Sequence, residues 1–242
     1  MCFTCAPSLL EASQAQPYEK PNLFVGSGCA LLDGAEARAT GVKHLALRKA
    51  PGFEMTLDLD RMMVSTMLSV FGVFELSDAD LVDVRIVEGD SPDAKVRFPG
   101  TSYPGIYFTE GMVGGILQQA TMRGPALAAI LGHEVSHIYQ YRHDYWERLT
   151  SKGNVVRPAE LHADFCAGWS LSRVRFIGPK DLDAIVNIMT TLGDTFFELK
   201  QQHHGTPEER SAAVRTGYHS SAMSVAEMAR FGELYVTTMG RP

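Results

Sequence analysis

The chain is short of cysteine, of positive charge and of long apolar runs. Its 242 residues include four cysteines, Cys2, Cys5, Cys29 and Cys166. They are too few and too scattered for a secreted disulfide framework. Lys and Arg total 22 against 28 Asp and Glu, a net charge of -6, and no basic cluster stands out locally. Such a chain offers little attraction to a phosphate backbone, so nucleic-acid partners are not expected. No apolar stretch approaches the roughly 18 residues that would justify a membrane-spanning helix, so no integral membrane segment is expected either. The opening MCFTCAPSLLEASQAQ has neither a basic segment nor a long apolar one and does not read as a secretory signal, which makes the cytoplasm the expected location. What remains is an ordinary globular composition, 45% hydrophobic and 21% charged, long enough to bury a sizeable core.

The pattern along the chain predicts an α+β fold. Residues 1–21, rich in Ala, Ser, Gln and Pro, read as a loose arm, and residues 22–242 as a single domain. Leu59, Met62, Met63, Met67 and Val70 recur near helical spacing, as a core-packing stripe does. LVDVRIVEG, AKVRFPG and GIYFTEG have strand-like length and are separated by Gly, Pro and Asp, which predicts a small mixed sheet ahead of a mainly helical body. Its last member, Ile106, Tyr107, Phe108 and Thr109, is expected to be an edge strand able to hydrogen-bond an extended substrate backbone. Helical periodicity returns in the segments starting PKDLDAIV and SVAEMARF.

Chemistry concentrates in GPALAAILGHEVSHIYQYR. In a helix, His133 and His137 lie about 40° apart around the axis and roughly 6 Å along it, so both rings can reach one ion. Neutral imidazole is a preferred zinc ligand, and a catalytic zinc takes three protein ligands and leaves a fourth position to water. Glu134 then falls beside that water as a candidate general base. The competing reading is an amphipathic core helix with a wet polar face. Against it, the run Ala126 to Leu131 is apolar all round, and polar groups in an apolar setting need partners.

A second helical segment, RPAELHADFCAGWSLSRV, places Glu160 and Asp164 four apart behind Pro158, which suits a first helical turn. Glu160 is the candidate third ligand. Asp164, one turn on, could accept the second N–H of a ligand histidine. His162 competes for the ligand role but points to a different side of the helix. Ala163, Ala167 and Gly168 are small enough to let this helix lie close against the first.

With these motifs the chain resembles the gluzincin zinc peptidases, specifically the family of the CAAX prenyl protease and the HtpX protease with their soluble relatives, and the bacterial neutral zinc metallopeptidases. The resemblance covers residues 102 to 218. PGIYFTEGMVGGILQQ is similar to the family's edge strand and following helix, and HGTPEERSAAVRTGY to its late His-x5-Arg region. It implies a zincin-like fold with one zinc ion per chain, His133, His137 and Glu160 as ligands, Glu134 as base and Asp164 supporting a histidine. By the same comparison His204 would donate a hydrogen bond in the transition state, with neighbouring His203 as competitor, and Arg210 would orient the site or pair with a carboxylate. Without transmembrane helices, prenyl-protein substrates are not expected.

The function expected from these residues is zinc-dependent hydrolysis of peptide bonds in a peptide or protein substrate, as an endopeptidase. Two other classes fit the same residues: a non-catalytic zinc-binding interaction module, and a regulatory protease specific for one partner. Imidazole and carboxylate ligands also accept other divalent ions. Cys2 and Cys5 suggest one further test, since a thiolate on a mobile tail could occupy the open zinc position and hold the enzyme latent.

Overall fold

The computed structural model describes residues 47–48, 57–76, 83–89, 94–97, 105–118, 122–151, 155–191 and 204–239. The expected arm, Cys2, Cys5, Cys29 and His203 lie outside them. Among the described residues, four strands, β1 (Leu47–Arg48), β2 (Asp83–Val87), β3 (Ala94–Arg97) and β4 (Gly105–Thr109), alternate with and precede eight α-helices. The helices are α1 (Leu57–Val73), α2 (Glu110–Gln118), α3 (Arg123–Arg142), α4 (Tyr145–Thr150), α5 (Arg157–Leu171), α6 (Leu182–Thr191), α7 (Pro207–Tyr218) and α8 (Val225–Met239). The architecture is α+β, mostly helical, with a small mixed sheet.

The sheet order is β1-β2-β4-β3, with β1, β2 and β4 parallel and β3 antiparallel to β4. This corrects one expectation. Ile106, Tyr107, Phe108 and Thr109 do not form an edge: β4 pairs with β2 on one side and β3 on the other, and all of its residues are buried. Fully paired and buried on both faces, a strand reads as an unbroken apolar run, which is how IYF reads. Among the described strands, β3 is the outer one on that side, and it packs against α3.

The helical body is organised around α5, which packs against α3, α4, α7 and α8. Glycines set how close its neighbours come. A Cβ on Gly132 of α3 would meet Ser170 Oγ at 2.8 Å and Ala167 Cα at 3.4 Å, so the metal-motif helix rests on the small residues of α5. Gly168, expected to face α3, instead faces α7: a Cβ there would meet the Val214 carbonyl oxygen at 2.0 Å. Gly217 of α7 returns the contact against the Phe165 carbonyl oxygen. The α1 stripe is core as expected, with Met63, Met67 and Val70 buried.

Two local features are set by a turn and a cap. The first motif helix does not continue through Tyr145 and Trp146: α3 stops at Arg142, and Asp144 turns the chain with φ 59°, a left-handed conformation that Asp tolerates better than most residues. Residues 207–218 form a helix that periodicity alone did not reveal. Its start was legible in Thr206-Pro207-Glu208-Glu209: Glu209 N donates to Thr206 Oγ1 (3.2 Å), and Thr206 N donates to Glu209 Oε2 (2.9 Å), a reciprocal cap followed by proline in the first turn.

Candidate metal centre

α3 is apolar enough to be buried along most of its length, and it carries His133 (5% exposed), Glu134 (2%) and His137 (0%) into the interior. α5 brings Glu160 (1%) against them. His133 Nε2 lies 3.1 Å from His137 Nε2 and 3.3 Å from Glu160 Oε2, and His137 Nε2 lies 3.6 Å from Glu160 Oε1. For ligand bonds of about 2.0–2.1 Å, the edge of a tetrahedron is roughly 3.3–3.4 Å. The separations cluster around that value.

Protonation strengthens the fit. His133 Nδ1 faces Asp164 Oδ1 at 2.9 Å and His137 Nδ1 faces Gln140 Oε1 at 2.9 Å. Both oxygens are acceptors, so in the neutral rings the Nδ1 atoms carry the protons and both Nε2 lone pairs point at each other and at the Glu160 carboxylate. Neither Glu160 oxygen has a hydrogen-bond partner among the described residues. Three buried electron-pair donors facing one point repel unless positive charge lies between them, either a proton on one of them or a metal ion. Without a metal a proton takes that place: burial opposes charge on His133, yet the hydrogen bond to Asp164 and the nearby carboxylate of Glu160 prevail and raise its pKa to about 10. Burial likewise pushes the Glu160 carboxyl up, but His137, His133 and His204 together hold it well below its usual range. His133, His137 and Glu160 thus form a buried group that could hold a metal ion.

Around the donors the structure adds a layer of support. Arg210 Nε donates to Asp164 Oδ2 (2.7 Å) and Arg210 Nη2 to Oδ1 (2.9 Å), so Arg210 pairs with a carboxylate, and the carboxylate is the one backing His133. His204 is buried at 7% exposure and close enough to Glu160 to influence its charge. The turn that places it needs Gly205, with φ 110° and Leu161 Cδ2 2.8 Å from where a Cβ would stand. Glu209, already capping α7, also accepts from Arg157, which ties the start of α7 to the start of α5.

His162 is not part of the donor group. Its ring lies on another side of α5, fully buried, with Nε2 donating to Ala229 O of α8 at 2.9 Å. Tyr145 stacks on it at 5.2 Å between centroids, and Trp146 meets His137 edge-on at 5.8 Å. These aromatics pack against the histidine layer. Ile106 to Thr109 remain in the sheet interior, and Thr109 Oγ1 accepts from Met112 N at 3.2 Å to start α2. Gln140 is a polar residue that the motif reading passed over; its place one turn after His137 was the available signal.

No helix among the described residues is long and apolar enough to cross a membrane. Comparisons of the chain with protein-family models, with curated proteins and with solved structures find no match in any of the three.

Proposed function

We propose that the chain is a zinc-dependent endopeptidase of the gluzincin type, in which His133, His137 and Glu160 hold the metal and Glu134 is the general base. The observation that carries this reading is the convergence of two imidazole lone pairs and a carboxylate at 3.1, 3.3 and 3.6 Å, with a buried glutamate directly after the first histidine. Bound there, zinc supplies Lewis-acid polarisation of the scissile carbonyl and a water of lowered pKa. Glu134 takes a proton from the attacking water and delivers it to the departing amine. Asp164, held by Arg210, keeps His133 in its Nδ1–H tautomer. His204 donates to the oxygen on which negative charge develops. β3, the outer antiparallel strand packed on α3, replaces β4 as the strand that pairs with an extended substrate.

The test is metal content by mass spectrometry on wild type and Glu134→Gln, with casein or quenched-peptide cleavage by both. One zinc in each protein and cleavage by wild type alone supports the proposal. Absence of metal from both rejects it. Zinc in both with cleavage by neither shifts the reading to a partner-specific protease or a non-catalytic module, and a Glu134→Gln trap that retains a single protein separates the two.

A further inference from the structure

We propose that Gln140 is a positioning residue for His137, and that it works only because His162 and α8 hold its amide in one orientation. The inference rests on the metal-binding reading above and extends it to a residue outside both motifs.

Donors and acceptors around the amide match in one way only. One end of the Gln140 amide lies 2.6 Å from the Ala159 carbonyl oxygen, which can only accept, so that end is the NH2 group. The same NH2 lies 3.0 Å from His162 Nδ1. His162 Nε2 lies 2.9 Å from the Ala229 carbonyl oxygen and must donate, which leaves Nδ1 with a lone pair to accept from Gln140. Both N–H bonds of the amide are then committed, and Oε1 faces His137 Nδ1 at 2.9 Å as an acceptor. His137 is driven to the Nδ1–H tautomer, with its Nε2 lone pair toward His133 and Glu160. Each hydrogen bond in this chain is buried, so a wrong tautomer at any link would put two donors or two acceptors face to face.

The surroundings hold His162 in the required plane. Tyr145 stacks on its face, tilted by 20°. Cys166 Sγ lies 3.6 Å from Nδ1 and 3.8 Å from Nε2, over the ring and out of line with the Nδ1 lone pair, which is left to Gln140. Gly232 lets α8 come this close: a Cβ there would sit 2.9 Å from Phe165 Cδ1 and 3.1 Å from His162 Cδ2. The two histidines of the motif are therefore backed differently, His133 by an ionised carboxylate and His137 by a neutral amide whose other end is anchored to α5 and α8.

Zinc affinity of the full chain, read by chelator competition, tests this together with the imidazole N–H signals of the zinc-loaded wild type. Gln140→Leu is expected to bind zinc about 10–100-fold more weakly, the usual effect of losing the group behind a ligand histidine. Gln140→Glu separates orientation from charge. A carboxylate could still accept from His137 and would make it a stronger ligand, but it cannot donate to Ala159 O and His162, so weaker binding is expected here too. Wild-type affinity in folded Gln140→Leu, or tighter binding in Gln140→Glu, overturns the proposal. Should the variants fail to fold, the wild-type spectrum decides: protons on His137 Nδ1 and His162 Nε2 support it, and a proton on His162 Nδ1 overturns it. Failure of the wild type to take up zinc defeats the metal reading itself, before any variant is made.

Discussion

Asp164 accepts two hydrogen bonds from Arg210, at 2.7 and 2.9 Å, while the same carboxylate faces His133 Nδ1 at 2.9 Å. A residue of α7 is thereby joined through α5 to a candidate ligand on α3. Burial pushes the Asp164 carboxyl up, but the charge and hydrogen bonds of Arg210, with those of His133, keep it below its usual range. Arg210→Met would leave an ionised carboxylate buried with half its support, and removing one partner of a buried pair costs about 3–5 kcal/mol. Arg210→Lys is expected to recover only part of this, since an ammonium lacks the planar fork that makes two parallel bonds. Urea unfolding of both variants measures the loss, and chelator competition should show weaker metal binding in the order wild type, Lys, Met.

Gly205→Ala tests how the chain enters α7. The backbone there has φ 110°, and an added methyl would stand 2.8 Å from Leu161 Cδ2. A left-handed conformation costs an L-residue roughly 1–2 kcal/mol before any clash. The turn joins His204 to the Thr206 cap, so the strain falls on His204. Expected outcomes are a stability loss of about 2 kcal/mol and a fall in turnover with zinc content unchanged, read by thermal unfolding and peptide cleavage.

Gly168→Ala tests the helix crossing that brings Arg210 to Asp164. A methyl group 2.0 Å from the Val214 carbonyl oxygen meets backbone, which cannot rotate out of the way. The helices must separate, at a cost of about 3 kcal/mol, the upper part of the range for overpacked sites. Gly217→Ala, on the opposite helix, should cost a similar amount, and the double variant less than the sum because one separation relieves both contacts.

Much of this arrangement was legible because it follows from local periodicity. The four-residue spacings of His133 with His137 and of Glu160 with Asp164 fix which side chains share a helix face whatever the helices pack against. Strand order is a different kind of fact. GIYFTEG reads as a strand from its own residues, but whether a strand lies at an edge depends on its neighbours, and β4 pairs both with β3, just before it in sequence, and with β2. Gly168 was recognised as a close-contact residue and assigned to the wrong neighbour for the same reason, since nothing in α5 alone says which helix lies on which side. Gln140 went unread, and His162 was read only as pointing away from the ligands, because their roles depend on Ala159 and Ala229 carbonyls that no motif encodes.

His162 makes stability depend on acidity. Burial pulls its pKa down to about 4, with the Ala229 carbonyl partly opposing, whereas in the unfolded chain it titrates near the ordinary 6.5. Between these values the unfolded chain binds a proton that the folded chain refuses. Stability is therefore expected to be flat in this respect above pH 6.5 and to fall as pH drops from 6.5 toward 4, by an amount on the order of 3 kcal/mol. Urea unfolding at pH 7, 5.5 and 4.5 measures the slope, and His162→Gln, which does not titrate, should flatten it. An equal slope in that variant would assign the effect to other groups.

His204→Ala separates binding from catalysis. The ring is buried at the head of α7 and close enough to Glu160 to affect its charge, yet it is not among the three residues whose donor atoms converge. A group in that place could support the carboxylate or donate to the substrate oxygen. If it supports only the carboxylate, its loss should weaken zinc and leave turnover of the loaded enzyme close to wild type. If it donates to the developing oxyanion, zinc should stay and kcat should fall about a hundredfold, with KM changed little, as loss of one such donor typically does. The second outcome is expected. Steady-state kinetics on protein with measured zinc content distinguishes the two, and His204→Gln, which keeps an N–H donor, should recover part of the rate only in the second case.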